Sequence, residues 1–132
     1  MTKAPSDAAV LFLLSEGVRQ EVGGKLTILG FYPDAQLLIP KETKQVVTPL
    51  AMTFIVTDGE GTFPTAVSLT APSGKALIPK ENMSDTVIRP GQPLSILVAA
   101  QPFMTDETGK FDVTLHLGDA SYRRSFRINF QP

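Results

Sequence analysis

Apolar residues in this chain come in short runs separated by glycine and proline, and no stretch of ten residues keeps the spacing of an amphipathic helix. "LAMTFIVT" places Leu50, Met52, Phe54 and Val56 on one face, and "FPTAVSLTAPSGK" does the same with Thr65, Val67 and Leu69 before a Pro-Ser-Gly turn. A period of two belongs to a strand with one buried face. In "GKFDVTLHLGDASYRRSFRINF", Phe111, Val113, Leu115 and Leu117 alternate with Asp112, Thr114 and His116; Tyr122, Phe126, Ile128 and Phe130 then alternate with Arg123, Ser125, Arg127 and Asn129. This pattern predicts a hairpin. A four-residue loop at 118–121 would pair Leu117 with Tyr122, Val113 with Phe126 and, on the outer face, Asp112 with Arg127. Arg124 falls on the apolar face, so a bulge, a strand end or a partnered guanidinium is expected there.

The remaining runs are less regular. "KLTILGFY" and "AQLLIP" are short and rich in branched or aromatic residues, which suits strands, and their company draws "AAVLFLLSE" toward strand as well. Residues 94–100 in "PGQPLSILVAA" are apolar on both faces, the pattern of a central strand, whereas residues 79–88 read as a loop. The chain is therefore expected to be all-β: a single-domain antiparallel β-sandwich over residues 1–132, with about seven to nine strands. A small closed barrel, or the same sandwich with one short helix at 8–16 or 79–88, is the alternative.

Four stretches, "LSEGVRQEVGGKLTILGFY", "GTFPTAVSLTAPSGK", "IRPGQPLSILVAA" and "GKFDVTLHLGD", resemble a family of small bacterial proteins classed only as a domain of unknown function. The likeness runs over nearly the whole chain, and its distinctive part is "EGVRQEVGGKL". The resemblance implies an immunoglobulin-like sandwich and brings no activity or site residues with it.

Chemical signatures are few. "GVRQEVGGKLTILG" has the glycines and lysine of a phosphate loop, but Arg19 stands where its first glycine belongs, Leu26 where its hydroxyl belongs, and a strand follows instead of a helix. Gly23 and Gly24 are expected to turn a hairpin. His116 is the only histidine and there is no cysteine, which excludes clustered imidazole or thiolate metal sites and cysteine nucleophiles. His116 reads as an exposed cross-strand residue. Asp58 with Glu60 and Asp106 with Glu107 lack the spacing of a calcium loop and read as solvated turns. Arg123, Arg124 and Arg127 lie beside Tyr122 and Phe126, but the aromatic residues point to the opposite face and cannot interleave with Arg123 and Arg127 as stacking platforms.

A net charge of −1, from twelve Lys and Arg against thirteen Asp and Glu, provides no field to gather nucleic acid or an anionic membrane. The early apolar run at 8–14 is too short to span a bilayer and lacks the flanks of a signal peptide, so a cytoplasmic protein is expected. No cofactor, metal or catalytic residue is expected. The expected function is a noncatalytic binding or assembly module that engages a protein partner or its own copies through loops or sheet edges; a small-molecule or carbohydrate-binding sandwich is the alternative, and an enzyme a more distant one. Within "AAQPFMTDETGKF", Pro102 is expected to end a strand, leaving Phe103 and Met104 in a turn-rich connection. There Phe103 either plugs the end of the sandwich, or Phe103 and Met104 together project as an apolar contact for a partner.

Overall fold

The structure, a computed structural model, describes residues 2–132, and of Asn82 the backbone alone. After a short 3-10 turn at Asp7–Ala9 come nine strands: β1 (Val10–Gln20), β2 (Leu26–Tyr32), β3 (Gln36–Ile39), β4 (Val46–Val56), β5 (Gly61–Thr70), β6 (Ala76–Ile88), β7 (Leu94–Thr105), β8 (Gly109–Leu117) and β9 (Ala120–Phe130). They form a four-stranded sheet in the order β2-β1-β4-β7 and a five-stranded sheet in the order β3-β9-β8-β5-β6. The two sheets face each other across one apolar core. Among the described residues no helix is long and apolar enough to cross a membrane.

Alternation decides which side chains fill the core. Leu50, Met52, Phe54 and Val56 of β4 meet Phe111, Val113, Leu115 and Leu117 of β8 and Tyr122, Phe126 and Ile128 of β9 there, all buried. Thr65 is the polar member of the core-facing set on β5, and its hydroxyl is satisfied by donating to the Phe63 carbonyl at 3.0 Å and pairing with Thr86 Oγ1 at 2.6 Å.

Four expectations are corrected by the fold. The sheets are not wholly antiparallel: β3 pairs with β9 in parallel, because the chain leaves the four-stranded sheet after β2 and enters the other sheet running the same way as the last strand. Residues 79–88 are not a loop but most of β6, which pairs with β5 through several register shifts. Those irregularities, together with Pro79, break the alternation that would have marked a strand. The β8–β9 hairpin turns through two residues, Gly118 and Asp119, so Leu117 faces Ala120, Phe111 faces Phe126 and Asp112 faces Ser125. Gly118 takes a φ of 59°, which lets the tighter turn form and shifts the expected register by two while keeping every side chain on its expected face. Lastly, β7 is an edge strand and not a central one.

Candidate interaction surface

The "GVRQEVGGKLTILG" stretch forms the hairpin joining β1 to β2, with Gly23 and Gly24 at φ of 86° and 78° in its turn. Pairing is interrupted between Ser15–Phe31 and Gly17–Leu29, where Glu16 and Gly30 are the unpaired residues. Gly30 has a φ of 60°, and a Cβ there would come within 2.6 Å of the Glu16 side chain. Beyond this hinge the hairpin becomes an arm over the outer face of its own sheet. Gly24 and Leu26 line a groove with Ile55, Leu94 and Ser95, while Gly17 and Val18 line another with Pro49 and Ala99. The Gln101 amide donates to the Glu16 carbonyl at 3.2 Å and ties the base of the arm to β7.

The arm explains burial on the side of the sheet away from the core. Ser15, Ala51 and Thr53 point there, opposite the core-facing Leu14 and Met52, yet all three are fully buried. Leu97 pairs across the sheet with Thr53 on the same face and is half-buried. Both faces of β4 are therefore covered, one by the core and one by the arm, whereas on the outer face of β7 Leu97 alone is half-covered and Ser95 and Ala99 stay exposed. Ser15 Oγ donates to the Gly17 carbonyl at 3.1 Å, whereas Thr53 Oγ1 is buried without a hydrogen-bond partner among the described residues.

The four-stranded sheet is also nearly free of charge. Glu16 and Arg19, at the hinge and on the arm, are its only charged residues, and β2, β4 and β7 have none. Large apolar side chains lie open to solvent on it: Leu11, Leu29, Phe31, Val47 and Met104. Val22, at the tip of the arm, is 97% exposed. The five-stranded sheet also exposes Leu38, Met83, Val87 and Phe130, but it differs in charge, because its outward residues on β8 and β9 include Lys110, Asp112, Thr114, His116, Arg123, Ser125 and Arg127.

Phe103 and Met104 lie within β7, so the turn-rich connection expected for them is corrected: β4 continues to pair with β7 as far as Thr105, beyond a register shift between Thr48 and Leu50. Pro102 is accommodated at that irregularity. The two side chains part company. Phe103 is buried, edge-on to Phe111 at 6.0 Å and to Phe126 at 6.3 Å, and it joins the two sheets at that end of the core. Met104 points outward beside Val47, its cross-strand partner.

The other candidate residues have local partners. His116 lies between two hydroxyls, with Ser68 Oγ 3.1 Å from Nε2 and Ser121 Oγ 3.3 Å from Nδ1. Burial, and then the charge of Lys80, hold its imidazole below the usual pKa. Glu107 accepts hydrogen bonds from the Ser73 backbone N–H at 2.8 Å and its hydroxyl at 2.9 Å, and Asp58 accepts one from the Gly59 N–H at 2.6 Å. Both are turn-stabilising carboxylates. Among the described residues, no group of three or more His, Cys, Asp or Glu is arranged to hold a metal ion. Of the three expectations for Arg124, a bulge, a strand end or a partnered guanidinium, the last holds: it donates to the carbonyls of Asp7, Val10 and Arg123 and to the Asp7 carboxylate.

No protein-family model matches this sequence, and no curated protein matches it. The function is therefore read from the surface itself.

Proposed function

We propose that this chain is a noncatalytic contact module, an immunoglobulin-like β-sandwich that engages a protein partner or its own copies through the four-stranded sheet. The observation that carries the reading is the contrast between the two sheets. Both sheets expose large apolar side chains, but Leu11, Leu29, Phe31, Val47 and Met104 stand on strands almost without charge, whereas Leu38, Met83, Val87 and Phe130 of the other sheet share its strands with Lys80, Glu81, Asp85, Lys110, Asp112, Arg123 and Arg127. An apolar surface without interspersed charge marks a contact surface.

The strand order supports the immunoglobulin-like reading. β1-β4-β7 facing β9-β8-β5-β6 follows the A-B-E and G-F-C-C′ arrangement of that sandwich, with the β1–β2 arm as an addition. A noncatalytic role accords with the surroundings of His116, whose two ring nitrogens face serine hydroxyls and no carboxylate that would orient it as a base. The arginines also accord with protein contact over nucleic-acid binding, since Arg124 is engaged by backbone carbonyls and the buried Tyr122 and Phe126 cannot stack on bases.

A photoreactive amino acid placed at Phe31 or Met104 is expected to cross-link the protein to a partner or to itself in its native cell extract, while the same group at Ser125 on the polar sheet gives no product. Equal capture from both sheets, or capture from position 125 alone, would overturn this reading.

A further inference from the structure

We propose that the outer edge of β7 is a self-association site, at which two copies of the chain join antiparallel about a two-fold axis to form one eight-stranded sheet. This rests on the contact-module reading and names its partner as a second copy.

A strand at a sheet margin carries a row of unpaired N–H and C=O groups, and proteins usually protect such a margin with charge, proline, shortness or a bend. Three margins here have such protection. β6 carries Pro79, Lys80, Glu81 and Asp85; β3 has four residues and runs into Pro40; β2 bends away at Gly30 into the arm. β7 has none over residues 94–100, "LSILVAA", which are uncharged, free of proline and glycine, and paired on one side only, with β4. Among the described residues, no hydrogen bond outside the sheet engages their backbone.

The sequence of this edge fits its own reverse. An antiparallel pair of identical strands is two-fold symmetric, so the same patch serves both partners. With Leu97 opposite its own copy, pairing uses every residue between Pro93 and Gln101 and keeps core-facing residues on one side of the joined sheet. On that side Leu94 meets Ala100 and Ile96 meets Val98, each larger residue against a smaller one. On the outer side Ser95 meets Ala99 around the central Leu97 pair. The tip of the arm lies beside this seam, because Gly24 and Lys25 line a groove with Ser95.

The chain has no cysteine, so engineered thiols report without background. Ser95→Cys and Ala99→Cys, each at an exposed position, are mixed in equal amounts and mildly oxidised. The mixture is expected to form disulfide-linked dimer and each variant alone to form almost none, because like positions lie about 13 Å apart along the paired strands. Sedimentation velocity then compares two double variants. Ser95→Glu with Ala99→Glu opposes like charges and is expected to lose the dimer, while Ser95→Glu with Ala99→Lys opposes unlike charges and is expected to keep it; if the first fails to fold, the disulfide pattern decides. A wild-type chain that remains monomeric at every concentration overturns the proposal. So does a dimer whose cross-linking is no better in the mixture, or one that the Glu/Glu variant leaves intact; either would place self-association elsewhere and leave the contact-module reading standing.

Discussion

Arg124 lies on the core-facing side of β9 between Tyr122 and Phe126, where a guanidinium without partners would be costly. Its bonds to the carbonyls of Asp7 and Val10 fasten the chain's first turn, and the start of the four-stranded sheet, to the last strand of the other. Tyr122 reinforces this by donating to the Pro5 carbonyl at 2.6 Å, and burial, followed by the charge of Asp7, raises its phenol pKa. Arg124→Ala is expected to lower unfolding free energy by about 2 kcal/mol, since it removes charge-assisted bonds to three backbone carbonyls, of which that to Val10 is part-buried. Asp7→Asn should cost well under about 1 kcal/mol because that carboxylate is mostly exposed; chemical denaturation of both variants checks the ranking. His116 gives a pH prediction. Its pKa is lowered in the folded protein, so the unfolded chain binds the proton more readily, and its contribution to stability is complete above the ordinary imidazole pKa and declines as pH falls through the folded value. Thermal melts from about pH 8 to about pH 5 should show a decline that His116→Asn makes shallower.

The β1–β2 hairpin has two functions divided at its hinge. Below Glu16 and Gly30 its strands belong to the sheet, and above them they form the arm that covers Ala51 and Thr53. The hinge needs the positive φ of Gly30, a backbone conformation that costs an L side chain about 1–2 kcal/mol. Gly30→Ala is therefore expected to destabilise the protein by about that amount. Hydrogen exchange should show the loss first as faster exchange at Leu26 to Leu29 and at the β7 amides beneath the arm, not in β8 or β9. Uniform exchange loss across both sheets would show that the arm is not a separate unit.

Across the whole molecule, the two sheets are fastened at one end by Arg124 and Tyr122 and elsewhere by aromatic packing. Phe111 and Phe126 stack at 5.1 Å, and Phe103 of the opposite sheet closes on both edge-on. Phe103→Ala is expected to cost about 3–5 kcal/mol in denaturant unfolding, the range for emptying a large aromatic site in a core. Met104→Ala, which alters only an exposed neighbour, should leave stability nearly unchanged. Similar losses for the two variants would contradict the division of β7 into a core face and a contact face.

Taken alone, the sequence established the strand character and facing of the regularly alternating segments, though not of β6 or the end of β7, because alternation depends on neighbours a few residues apart. The alternation in β4, β5, β8 and β9 assigned their core faces correctly, the glycine pair at the arm's tip read as a turn, and Arg124's place on an apolar face signalled an exception there without saying which of a bulge, a strand end or a partnered guanidinium it would be. Only the tertiary structure decided what covers each face and what pairs with each edge. Residues 94–100 suggested a central strand because they are apolar on both faces, yet β7 lies at the sheet's edge, with Ser95 and Ala99 exposed on its outer face. Phe103 and Met104 looked like loop residues because Pro102 precedes them, yet a register shift in β4 lets the pairing continue and sends one side chain to the core and the other to solvent. Pattern along a chain records how much of each residue is buried; which element does the burying is set by contacts between residues far apart in sequence, and those also leave the edge of β7 open.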